Sequence, residues 1–107
     1  MSGKRVLWLV GTECPPEREQ EFNEWYGRVH LPMLLKVPGV VAAARYEAVN
    51  PAPGQPKYLA VYEVEDEGAL EAIPQTPEML AARDERLESW GEAGFSVMRR
   101  EYYRAIG

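Results

Sequence analysis

Apolar and polar residues alternate along KRVLWLVG, residues 4–11, with Val6, Trp8 and Val10 on one side and Arg5, Leu7 and Leu9 on the other. A period of two predicts a strand, here one that is apolar on most of both faces. Pro15-Pro16 break the pattern, and Glu17, Glu19 and Glu21 supply negative charge where a helix N-terminus favours it. The apolar spacing then becomes that of a helix: Phe22, Trp25, Tyr26, Val29, His30 and Met33 fall on one stripe, while Glu21, Asn23, Glu24 and Arg28 lie off it. This helix begins near Pro16, kinks or restarts at Pro32 and ends at Pro38-Gly39.

VVAAARYEAVN, residues 40–50, reads as a second strand, with Val40, Ala42, Ala44, Tyr46 and Ala48 on one face and Val41, Ala43, Arg45, Glu47 and Val49 on the other. NPAPGQP is a turn by composition, and KYLAVYEVE after it makes a hairpin with the second strand. Asp66 caps a short helix carrying Ala69, Leu70 and Ile73. Thr76-Pro77-Glu78 opens another, with Leu80, Leu87 and Trp90 on one side. Gly91 and Gly94 stop it, and FSVMRREYYRAI is the last strand. The order β-α-β-β-α-β is the ferredoxin-like plan, an α+β fold in which helices cover one face of a four-stranded antiparallel sheet. Apolar residues on both faces of the strands call for a second cover, which a homodimer supplies by symmetry.

Composition narrows the function. A length of 107 residues suits one domain, expected to span residues 1–107, and 46% hydrophobic with 27% charged residues is the balance of a globular protein. The net charge of -5 and the lack of a basic cluster beyond Arg99-Arg100 argue against nucleic acid and against an anionic membrane surface. The only cysteine, Cys14, can form no internal disulfide, which fits a reducing compartment. The first apolar run stops at Gly11 without a cleavage-like site, and no segment approaches the roughly 20 apolar residues of a membrane span, so a cytoplasmic location is expected.

His30 is the only histidine, and its imidazole alone has an ordinary pKa near neutrality, as a general base requires. Burial among Trp25, Tyr26 and Met33 lowers that pKa and a helix C-terminus raises it, so spacing does not fix the sign; the competing reading is a packed ring bonded to a carbonyl or carboxylate. Tyr26 lies one turn earlier and can share a pocket wall with His30, holding a substrate oxygen or simply packing. Asn23 can line the same edge or face solvent. Arg45 can meet a carboxylate or enolate, or pair with Glu47. Tyr46, Tyr58, Tyr62, Tyr102 and Tyr103, with Trp8 and Trp90, are candidates for an aromatic pocket. Cys14 precedes a helix N-terminus, which lowers a thiol pKa, but it has no partner for nucleophilic chemistry. Glu13, Glu17 and Glu21 recur every fourth residue without a histidine or cysteine set, so no metal site is expected, and no P-loop or dinucleotide fingerprint calls for a cofactor.

The run FNEWYGRVHLPMLLKVPGVVAAARYE, residues 22–47, resembles the EthD-like group of the dimeric α/β-barrel superfamily in its aromatic helix, His-Leu-Pro, Pro-Gly turn and strand ending in Arg-Tyr. The resemblance implies a homodimer whose sheets face each other as a barrel, with a pocket between helices and sheet in each protomer. It implies cofactor-free chemistry of cyclase, isomerase, lyase or oxygenase type on a small hydrophobic, aromatic or polyketide-like carbonyl compound, and it places His30 in the pocket. With no second histidine, a mechanism needing two imidazoles is excluded. Three readings follow. In an enzyme, His30 moves a proton next to a carbonyl, Tyr26 binds the oxyanion, Trp25, Trp8 and Trp90 exclude water, and Asn23, Arg45, Tyr46 and Tyr62 contact substrate. In a non-catalytic module, the same pocket holds a ligand for another enzyme. In a haem protein, His30 is the axial ligand.

Overall fold

The period-two run at the start forms β1 (Val6–Glu13), displaced two residues toward the C-terminus from the expected 4–11. The computed structural model describes residues 4–107. β1 is central, with β3 (Tyr58–Val64) on one side and β4 (Ser96–Arg104) on the other; β2 (Val40–Glu47) pairs with β3, giving the antiparallel order β2-β3-β1-β4. A 3-10 turn over Pro16–Arg18 leads into α1 (Glu19–Trp25). The other helices are α2 (Leu31–Leu34), α3 (Glu67–Ala72) and α4 (Pro77–Trp90). Asp66 and Thr76 cap α3 and α4 by accepting from the amides of Ala69 and Met79, as their sequence positions predict.

At Pro32 the helix changes type and restarts, with α2 carrying the proline in its first turn. A regular helix would drive its ring against the carbonyl of Arg28 and leave a hydrogen bond unmade. Instead, Tyr26–His30 form a π turn in which the Leu31 amide reaches the Tyr26 carbonyl five residues back. The extra residue advances the inward stripe by one position. Leu34 and Val37 are therefore fully buried, and the expected Met33 only partly.

A second irregularity corrects the reading of β2. A bulge between Val40 and Ala42 breaks the alternation, so Val40 shares its face with Ala43, Arg45 and Glu47 rather than with Ala42, Ala44 and Tyr46. The face turned to the helices carries Val6, Trp8, Val10, Tyr58, Ala60, Tyr62 and Val64. Against it Phe22, fully buried, contacts Tyr26, Tyr58, Trp90 and Phe95 with ring centroids 4.9–6.0 Å apart. Full burial of one such aromatic side chain contributes about 2–3 kcal/mol. Leu80, expected inward on α4, is exposed, whereas Ala82 and Trp90 are buried. The turn after α4 closes tightly, because a Cβ on Gly94 would lie 2.1 Å from the Trp90 carbonyl oxygen.

The opposite sheet face has no cover among the described residues. Leu7, Leu9, Tyr46, Leu59, Val61 and Tyr103 share it by register, and Leu7, Tyr46 and Tyr103 are exposed. Among the described residues no helix is long and apolar enough to cross a membrane.

Candidate functional site

Between the covered sheet face, the π turn and α4 lies a cavity of about 450 Å³. The β1–β3 register sets Trp8 opposite Tyr62, and their rings sit 4.8 Å apart in its wall. The π turn contributes Tyr26 at its start and His30 at its end. Phe95, just before β4, closes another side.

The Tyr26 and Tyr62 hydroxyls are 2.9 Å apart and hydrogen bonded. Burial raises the pKa of Tyr26 and raises that of Tyr62 well above the usual phenol value, so both stay protonated at neutral pH. Two O–H groups sharing one bond leave one proton to donate elsewhere.

His30 stacks on Trp25 at 4.9 Å and 24° and meets Tyr26 edge-on at 4.9 Å. Trp25 is held in turn by its Nε1, which donates to Glu85 at 3.0 Å. Burial first, then the positive charges of Arg86 and Arg45, lower the His30 pKa to about 4, which settles the sign the sequence left open. The ring is neutral at physiological pH. Nor is it the packed histidine bonded to a protein carbonyl or carboxylate through Nδ1, because that atom is buried without a partner. Trp8 Nε1 and Arg86 Nε are likewise buried and unpartnered, and all three residues line the cavity. Buried polar atoms without partners are rare in native proteins; the others among the described residues are Nε and Nη2 of Arg45, off the cavity wall.

No protein-family model matches the chain, and no curated protein matches its sequence. Solved structures do match in backbone over nearly the whole length. HapK from Hahella chejuensis superposes with a TM-score of 0.74 at 16% identity, covering 95% of this chain and 93% of its own. An ethyl tert-butyl ether D (EthD) family protein from Bacillus halodurans gives 0.69 at 19%, covering 96% and 99%. SnoaB, a cofactor-independent oxygenase from Streptomyces nogalater, gives 0.65 at 14%, covering 97% and 95%. The shared feature is the fold, a ferredoxin-like four-stranded antiparallel sheet with helices on one face.

Within this fold the expected site residues separate into three groups. His30, Tyr26, Tyr62 and Trp8 line the cavity. Trp25 and Trp90 do not; Trp25 lies behind His30, and Trp90 packs on Phe22 and Phe95 beneath the guanidinium of Arg18, 3.8 Å from its ring centroid. Asn23 and Arg45 also lie off the cavity wall. Arg45 Nη1 donates to Asn23 Oδ1 at 3.0 Å, Asn23 Nδ2 donates to the Tyr58 hydroxyl, and the guanidinium sits 4.3 Å from the Tyr26 ring centroid. Arg45 thus acts on Tyr26 from outside the cavity and does not pair with Glu47. Tyr46 is on the opposite sheet face, because it alternates with Arg45 across the strand.

Cys14 behaves opposite to expectation, since burial and then Glu19 and Glu13 push its thiol pKa up. Glu13, Glu17 and Glu21 form no cluster: Glu13 is on β1 and accepts from the Lys57 amide, while Glu21 pairs with Arg18. Sequence reasoning missed Arg83, Arg86 and Arg100, which all line the cavity. The signal was present on α4, where Met79, Arg83, Arg86 and Trp90 follow a helical i, i+4, i+7, i+11 stripe once Trp90 is taken as inward.

Proposed function

We propose that the protein is a small cofactor-independent enzyme that moves a proton at a carbon next to a carbonyl of a small aromatic or polyketide-like molecule, with the chemistry of an isomerase, cyclase or lyase. The observation that carries this reading is the meeting of a neutral buried imidazole and a protonated phenol pair on one aromatic-walled cavity. His30 accepts the proton from carbon, and the C–H electron pair moves toward the carbonyl oxygen. The hydroxyl proton not used within the Tyr26–Tyr62 pair stabilises the oxygen as it gains charge. Arg45, 4.3 Å from the Tyr26 ring, makes that charge less costly. An enolate is an intermediate common to isomerisation, cyclisation and oxygenation without cofactor, the last being the activity ascribed to SnoaB. A homodimer formed through the open sheet face belongs to this reading, since a second copy would cover the apolar residues that the protomer leaves exposed.

Solvent-deuterium exchange into the acidic carbon of aromatic ketones, with and without a ring carboxylate, tests the reading by NMR. Wild-type protein accelerates exchange in at least one of them, and His30→Gln loses on the order of 100-fold of that rate. A His30→Gln protein with full exchange activity overturns it; binding without exchange in either protein supports a non-catalytic ligand carrier instead.

A further inference from the structure

The charges that line the cavity are predominantly positive. Arg83 and Arg86 enter it from α4 and Arg100 from β4, where Arg100 is opposite Val10 on the helix-facing side. One carboxylate, Glu92, also lines the cavity, and none of the three arginines has a carboxylate within ion-pair distance among the described residues. In a chain of net charge -5 this is the reverse of what the overall balance would place there.

Convergent unpaired cations repel one another, and the repulsion is felt: Arg86 is easier to deprotonate than an ordinary arginine, first because it is buried and then because Arg100 and Arg83 are near. The Arg86 guanidinium lies 4.6 Å from the Phe95 ring centroid, so the aromatic face fixes its plane. Its Nε is buried without a protein partner. A planar, oriented guanidinium with a free donor and two further cations beside it is the arrangement that takes a carboxylate in two-point contact. The surrounding rings of Trp8, Tyr62 and Phe95 suit a flat aromatic body, and about 450 Å³ is within the ordinary range for small-ligand sites.

We propose that Arg86, supported by Arg100 and Arg83, binds the carboxylate of an aromatic acid, so that the substrate enters as an anion with its ring against Trp8 and Phe95. This deepens the enzyme reading and rests on it for the word substrate, but the selectivity for an anion is a property of binding alone. It is therefore measured without turnover, by titrating 2-naphthoate and its neutral isostere 2-naphthamide against the full-length protein in a calorimeter. The naphthoate binds more tightly in wild type, and Arg86→Gln removes roughly 10- to 100-fold of its affinity while the naphthamide loses little. Arg100→Gln reduces the preference in the same direction. Arg99→Gln, which removes a positive charge from the opposite sheet face, leaves it intact, and added salt weakens the naphthoate alone.

Equal affinity of the two compounds, no measurable binding of the naphthoate, or a preference that survives both Arg86→Gln and Arg100→Gln overturns the proposal. If Arg86→Gln does not fold, Arg100→Gln and the salt dependence decide. Failure of the enzyme reading shows elsewhere, in exchange activity that persists in His30→Gln, and leaves the anion preference standing.

Discussion

The depressed pKa of His30 makes the stability of the protein depend on pH in a window where little else titrates. The ring has an ordinary value of 6.5 when exposed and about 4 in the folded chain. The folded state therefore resists protonation that the unfolded state accepts, and stability must fall as pH drops from above 6.5 toward 4, then level off. At about 1.4 kcal/mol for each tenfold difference, the full loss is about 3 kcal/mol, of which about 2 kcal/mol is already lost at pH 5 relative to pH 8. Glu19, Glu21 and Glu67 have pKa values lowered below 4.5 by the cations beside them, so their stabilising effect is lost only further down, as pH falls through those values. Between pH 5 and 6.5 the slope belongs to His30. Urea unfolding at fixed protein concentration measures it: with a slope of about 1–3 kcal/mol per molar, the wild-type midpoint drops by about 1–2 M from pH 8 to pH 5. His30→Gln changes the absolute stability but abolishes this dependence. Parallel midpoint curves for wild type and His30→Gln would show that the ring takes up its proton in the folded state as easily as in water, and would refute its burial against Trp25 and Tyr26.

Tyr62→Phe leaves the Tyr26 hydroxyl buried without its 2.9 Å partner, so it costs about 1–3 kcal/mol, read as a lower melting temperature; an unchanged melt would mean that water replaces the bond freely. Leu9→Glu puts charge at the centre of the open sheet face, between Val61 and Glu101, and is expected to convert a sedimenting dimer into a monomer. A wild-type protein that is monomeric at micromolar concentration would dismiss the sheet-to-sheet dimer. Cys14, whose thiol pKa is raised by burial and by Glu19 and Glu13, should react with iodoacetamide at pH 7.5 several-fold more slowly than free cysteine; a faster reaction contradicts the burial and the sign of the charges around it.

The strands were legible because a sheet with apolar residues on both faces writes its period plainly, and the hairpin and both caps followed from Asn-Pro, Asp66 and Thr76. What the sequence hid were places where one residue is inserted. The bulge at Val40 and the π turn at Tyr26–His30 each shift a stripe by one position without changing the residue types involved. A reading at fixed period therefore assigned Val40 to the wrong face and Met33 to the core. His30, Tyr26, Tyr62 and Trp8 were recognisable as pocket candidates because aromatic residues on inward stripes have few other places to go. Arg45 was noticed with its surroundings left open: its long side chain lies over Tyr26 from outside the cavity, and no spacing rule distinguishes the two sides of a ring.

The arginines expose a different weakness, since Arg83, Arg86 and Arg100 are scattered in sequence and come together only where α4 faces β1 and β4 across the cavity. Their charge also bears on the imidazole. After burial, Arg86 is the largest influence holding His30 near 4, with Arg45 next. A ring with so low a pKa is neutral but is a weak base. A carboxylate seated on Arg86 would offset that positive charge and add a negative one beside the buried ring, and both effects would raise the His30 pKa toward the value at which a base removes a proton from carbon efficiently. On the proposal that Arg86 takes a carboxylate, the ligand that the arginines favour would thus be the one that strengthens the base.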